Sequence, residues 1–195
     1  SPLLSGNGLR RGLSRYILQP IARALARTPV TPNALTLLGL LVSAGAAYAL
    51  ARGGLVPGGV VFLVGSVLDA LDGELARVTG RASAFGAFLD STVDRVQEGL
   101  VFLGLLLYFL AEGDSPGAVL TFLALSGSFL VSYTRARAEG LGLQGEVGFV
   151  ARPARVILLG LGLLAGWPHP ALGAIALLSA VTALQRGTAV WRQTR

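Results

Sequence analysis

Apolar residues run through this chain in six long blocks, each bounded by a short cluster of Arg, Gly, Pro or acidic residues. The blocks cover Ala34–Ala51, Val56–Leu71, Ala84–Leu110, Gly117–Tyr133, Pro153–Trp167 and Ala171–Val190. Several approach the roughly 20 residues that cross a bilayer as helix. The pattern predicts an all-α integral membrane protein with six transmembrane helices. Ahead of them, apolar Leu13, Ile17, Ile21 and Leu25 step by four between Arg10, Arg11, Arg15, Arg23 and Arg27. That spacing lines one face of a helix, so Gly8–Thr28 predicts an amphipathic helix lying on the membrane surface, with Pro20 as a candidate kink. A basic flank to the first span is the alternative reading. Thr31 or Asn33 can cap the first spanning helix, with Pro32 in its first turn. The chain thus divides into an N-terminal segment, residues 1–33, and a six-helix membrane domain, residues 34–195.

Composition sharpens this. Hydrophobic residues make up 53% of the chain and charged residues 13%, where soluble domains average about 25% charged. The mean hydropathy is +0.67. There is no room for a soluble domain of any size. With no Cys, disulfide and thiolate chemistry are excluded. The net charge of +6 comes from Arg alone, since Lys is absent. In a membrane chain such a balance reports orientation, not nucleic-acid binding. Six spans put both termini on one side, and every Arg except Arg52 falls on that side. The positive-inside rule makes it cytoplasmic. The expectation is a multi-pass protein of the cell's inner membrane. Ser1–Gly8 is not followed by the apolar region of a cleavable signal.

The chemistry concentrates between the second and third blocks. The stretch from Asp69 to Asp94 holds four aspartates: Asp69, Asp72, Asp90 and Asp94. Acids at membrane depth are costly and usually functional. Asp69 and Asp72 are three residues apart, Asp90 and Asp94 four apart, so each pair shares a helix face if both segments are helical. Two helices joined by a short turn then point four oxygen donors into one space. Such a set suits Mg²⁺, Mn²⁺ or Ca²⁺ rather than zinc. Taken singly, each Asp also reads as a turn or capping residue, and Asp72-Gly73 as a turn pair. Glu74 and Glu98 are read as boundary or helix-pair charges outside the site. A cation transporter using the acids as an ion path is the reading from another class.

The full spacing is D69-x2-D72-G73-x2-A76-R77-x8-G86-x3-D90-x3-D94. It resembles the signature of the CDP-alcohol phosphotransferases, with each fixed position filled. The six-helix layout and basic N-terminus extend the likeness over nearly the whole chain. The resemblance implies transfer of a phosphatidyl-type group from a CDP-lipid to an alcohol, with release of CMP. It implies two Mg²⁺ or Mn²⁺ ions on the four Asp, Asp94 also serving as general base, and a homodimer. Gly73 and Gly86 leave room for a nucleotide to approach the backbone, and Arg77 can neutralise phosphate. Asn33 and Thr36, with Thr31, match a short pattern near the family's nucleotide site; helix capping explains them equally well.

The second informative stretch is Val131–Arg155. Arg135, Arg137, Arg152 and Arg155 lie on the same predicted side as the acids, either as an anionic-acceptor site or as positive-inside flanks. S-Y-T-R-A-R-A-E and G-F-V-A-R-P-A-R resemble the corresponding region of prokaryotic phosphatidylinositol phosphate synthases. The likeness implies an inositol phosphate acceptor held by Arg135, Arg152 and Arg155, with CDP-diacylglycerol as donor. Arg135 stands where that branch typically has Lys. Glycerol 3-phosphate is the alternative acceptor. His169 is expected to be a loop residue with no catalytic part.

Overall fold

The computed structural model describes residues 17–144 and 152–195. Among these residues lie seven helices and no strand: α1 (Gln19–Leu25), α2 (Pro32–Ala51), α3 (Leu55–Val78), α4 (Ala84–Ala111), α5 (Ser115–Gly140), α6 (Arg152–Leu164) and α7 (Pro168–Gln193). Four of them, α2, α3, α5 and α7, are long and apolar enough to cross a membrane. The other two predicted spans differ for visible reasons. α4 has 28 residues but carries Asp90, Asp94 and Arg95 in its first half and Glu98 just past its middle. α6 has 13 residues, about 20 Å of helix at 1.5 Å per residue, against a hydrocarbon core of about 30 Å.

Of the predicted helix over Gly8–Thr28, residues before 17 lie outside the described residues, and α1 covers only Gln19–Leu25. Pro20 sits in its first turn, directly after π-helical Ile17 and Leu18; a proline with helical residues on both sides is placed where it can kink the chain. Thr31 caps α2, its Oγ1 accepting from Ala34 N at 3.2 Å. α3 runs two turns beyond the apolar block that predicted it, through Asp72 to Val78. It ends in a Schellman turn: Arg81 N reaches Ala76 O (2.9 Å) and Gly80 N reaches Arg77 O (3.3 Å). Gly80 has φ of +66° there, a conformation glycine adopts without strain.

The chain forms two compact units. One joins the described residues of Ser1–Ser43 to Val64–Gln97; the other joins Ala44–Leu63 to the described residues of Glu98–Arg195. In the first unit Leu18, Leu35, Leu71 and Leu75 form a small core, with Leu25 and Val30 packed on it. Leu71 and Leu75 flank Asp72, so this cluster fixes the rotation of α3 about its axis. The second unit has the larger core, including Leu50, Phe102, Leu105, Phe109, Leu163 and Ile175. There α5 lies along α7, and buried Arg186 donates its Nη1–H to the carbonyl of Val131.

His169 is not in a loop: it belongs to the first turn of α7. Its Nε2 lies 2.6 Å from Asp114 Oδ2, and its ring meets Phe109 edge-on at 4.9 Å. Asp114 also caps α5, accepting from Gly117 N at 2.9 Å. That backbone donor, followed by His169, holds the Asp114 carboxyl below the usual carboxylate range.

At Gly104 of α4 the main chain of α2 comes close: an added Cβ would lie 2.8 Å from Ala47 Cα. Main chain cannot rearrange as a side chain can, so Gly104→Ala is expected to destabilise the protein by about 1–3 kcal/mol. Gly187→Ala is the control: a Cβ there meets nothing within 4 Å. Thermal unfolding in detergent should show a lower midpoint for Gly104→Ala and an unchanged or higher one for Gly187→Ala.

Candidate functional site

The acidic stretch folds as two helices with a five-residue connection, residues 79–83. Beyond the Schellman turn, Ser83 Oγ accepts from Gly86 N at 3.0 Å and caps the start of α4. Short closure at both ends of this turn brings the C-terminal part of α3 beside the first turns of α4. Asp69, Asp72 and Asp90 each place a carboxylate oxygen within 4.8 Å of the other two. Asp69 and Asp72 are buried, and Asp90 is half-buried. Three carboxylates this close, with limited access to water, repel one another strongly unless a cation lies among them. An all-oxygen set of this kind suits a hard divalent cation.

Thr36 of α2 completes the wall of this cluster. Its hydroxyl donates to Asp72 Oδ2 at 2.5 Å, and the residue is buried. Pro32 O lies 3.1 Å from the same hydroxyl, but one proton serves one acceptor at a time, and the charged, shorter partner wins. Thr36 therefore orients a carboxylate, a contact that capping logic did not foretell. Asn33, one turn earlier, is exposed.

Asp94 follows Asp90 by one turn of α4 and is buried. It is not one of the three clustered carboxylates; its Oδ2 lies 3.6 Å from Arg95 Nη2. On the far side of Asp72, Gly73 is exposed and open, with nothing within 4 Å of where a Cβ would be. Gly86 is tighter, since a Cβ would come 3.1 Å from Ser83 Oγ. Arg77 is largely exposed, and its Nη2 donates to Glu74 Oε2 at 2.7 Å. Glu74, outside the expected site, is thus buried and tied to a residue inside it.

The three predicted acceptor arginines belong to the second unit, and their surroundings differ. Arg135 is partly exposed and bridges to Glu139 one turn on, Nε to Oε1 at 2.7 Å. Arg152 opens α6 and is half-buried. Arg155 is buried, with 3% of its side chain exposed, and both its Nε and Nη2 donate to Glu98 Oε1 of α4, at 3.3 and 3.2 Å. Glu98 also stood outside the expected site. Its position carried a usable signal: it follows Asp90 by eight residues and Asp94 by four, on the helical period that groups residues on one face.

With this geometry in place, the comparisons are specific. The model of the CDP-alcohol phosphatidyltransferase family matches residues 29–186. A phosphatidylinositol phosphate synthase from Mycobacterium tuberculosis is 40% identical over 195 aligned residues, covering 94% of this chain and 89% of that protein. An archaetidylinositol phosphate synthase from Pyrococcus horikoshii is 39% identical, covering 87% of this chain and 88% of its own. The crystal structure of the M. tuberculosis synthase with CDP-DAG bound superposes with a TM-score of 0.81 at 36% identity, covering 90% of this chain and 94% of that one. The same enzyme in complex with manganese and citrate gives 0.81 over 90% of this chain and 89% of that one. The chain therefore belongs to the CDP-alcohol phosphatidyltransferase family.

Proposed function

We propose that this protein transfers a phosphatidyl group from CDP-diacylglycerol to a hydroxyl of inositol phosphate, releasing CMP. The observation that carries the proposal is the convergence of Asp69, Asp72 and Asp90 in a chain about 40% identical to enzymes named for inositol phosphate products. Family membership replaces the cation-transporter reading of the same acids. The two relatives differ in the lipid they are named for, phosphatidyl in one and archaetidyl in the other; CDP-diacylglycerol is the donor proposed here.

Asp69, Asp72 and Asp90, joined by Asp94, are the ligands proposed for two divalent ions, Mg²⁺ or Mn²⁺. When bound, such a pair offsets the charge of a pyrophosphate and steadies attacking and leaving oxygens in an in-line displacement. Convergent, buried, hard-oxygen donors are what that group needs. Thr36 holds Asp72 in its ligating orientation. Gly73, Gly86, Arg77 and Asn33 accommodate the cytidine diphosphate. Asp94 takes the proton of the acceptor hydroxyl. The hydroxyl oxygen bonds to the β-phosphorus, the bond from that phosphorus to the bridging oxygen breaks, and CMP departs with the electron pair. Arg135, Arg152 and Arg155 hold the acceptor phosphate. The six helices α2 to α7 form a multi-pass domain of the inner membrane, working as a homodimer. The near-exclusive placement of Arg toward one end of these helices supports cytoplasmic termini and a cytoplasmic site.

Purified protein supplied with CDP-diacylglycerol and Mg²⁺ or Mn²⁺ is expected to release CMP with inositol phosphate and not with glycerol 3-phosphate. Reaction with glycerol 3-phosphate alone would make it a phosphatidylglycerol phosphate synthase. Chelation should stop turnover, and returning the metal should restore it. Asp94→Asn is expected to lose turnover while still binding the CDP-lipid; a fully active variant would remove Asp94 from the mechanism. Thr36→Val keeps the shape and loses the hydrogen bond to Asp72. It should raise the metal concentration for half-maximal activity by about 10-fold or more, as other partners of metal ligands do. An unchanged metal dependence would leave Thr36 a packing residue.

A further inference from the structure

Glu98 and Arg155 form a buried ion pair that links two helices distant in sequence: 57 residues separate them, and their side chains are 11% and 3% exposed. Both Arg155 donors meet one oxygen, Oε1. A guanidinium is planar, and its Nε–Nη2 edge is one of the faces it uses to grip a carboxylate or phosphate in parallel. Here that edge is turned on Glu98. Once the edge is committed, the plane and direction of the whole fork are set, and the remaining donors point where Glu98 dictates. A buried pair of this kind is weak evidence for stability, because desolvation offsets most of the attraction. Holding one geometry is the better-supported use of such a pair. α6 is a short helix, so an anchor on the long α4 gives Arg155 a reference that α6 alone does not.

We propose that Glu98 is the positioning residue for the acceptor's phosphate, acting solely by fixing the guanidinium of Arg155. This rests on the assignment of Arg155 to the acceptor made above. Glu98 itself touches no substrate. A phosphorylated alcohol meets an arginine already oriented, so binding does not cost the ordering of a long side chain. Because Glu98 keeps a counter-charge on Arg155 throughout the cycle, the phosphate neither finds nor leaves behind a naked buried cation.

The test compares wild type, Arg155→Ala, Glu98→Ala, the double variant and Glu98→Gln by CMP release, with separate KM values for inositol phosphate and CDP-diacylglycerol. Arg155→Ala and Glu98→Ala should each raise the acceptor KM by about 10-fold or more and change the donor KM by less than about 2-fold. The double variant should be no worse than Arg155→Ala, since a residue acting through another adds nothing once that other is gone. Glu98→Gln keeps an acceptor oxygen without its charge and should raise the acceptor KM by about 3-fold, between wild type and Ala. Multiplying losses in the double variant would show Glu98 acting independently and overturn the proposal. So would equal losses for both substrates with a lowered melting midpoint, which mark a strut. If Glu98→Ala does not fold, Glu98→Gln carries the test, and an unchanged acceptor KM refutes it. If Arg155→Ala leaves the acceptor KM untouched, the acceptor assignment of Arg155 fails and takes the proposal with it. If Arg155→Ala raises it and the Glu98 variants do not, that assignment stands and the positioning role alone is wrong.

Discussion

Three carboxylates share a space less than 5 Å across in the most apolar kind of chain. Left to themselves they would drive the ends of α3 and α4 apart. The local structure shows what opposes that: a Schellman turn at Gly80, a serine cap on α4, and an apolar cluster that pins α3 through Leu71 and Leu75. Strain of this sort persists where the surrounding fold over-determines it, and it is characteristic of functional sites. Thr36 contributes in the same sense. By donating to Asp72 it lowers the cost of one charge without supplying a counter-charge.

The sequence made the helices and the acidic pair legible because both follow from spacing. Carboxylates three and four residues apart, next to long apolar runs, imply helix faces whatever the tertiary structure. Boundaries were less legible. α3 extends to Val78 because its last turns pack Leu75 in the core, and hydropathy alone does not register one buried leucine among charged neighbours. His169 was misplaced for a related reason. A histidine between two prolines reads as a loop, whereas here it occupies the first turn of α7, where it can reach Asp114.

The convergence of Asp69, Asp72 and Asp90 was legible from spacing, whereas the contacts that Thr36 and Glu98 make were not. Nothing in the spacing connects Thr36 with Asp72 or Arg155 with Glu98, since their partners lie 36 and 57 residues away. Glu74 and Glu98 looked like surplus charge because no motif claims them, yet each holds an arginine. The contacts of Thr36 and Glu98 join positions far apart in the chain, so they emerge only once helices are set side by side. Asp94 shows the converse: its distance along α4 from Asp90 was evident, but its separation from the other three carboxylates was not.

Gly104 carries a mechanical consequence. Where α2 and α4 cross, no side chain stands between the two main chains. A joint of that kind has no torsional slack: it either stays shut or parts outright, because no rotamer is available to take up a partial displacement. Any yielding between helices of this unit is therefore expected at seams where side chains meet, and not at the Ala47–Gly104 crossing.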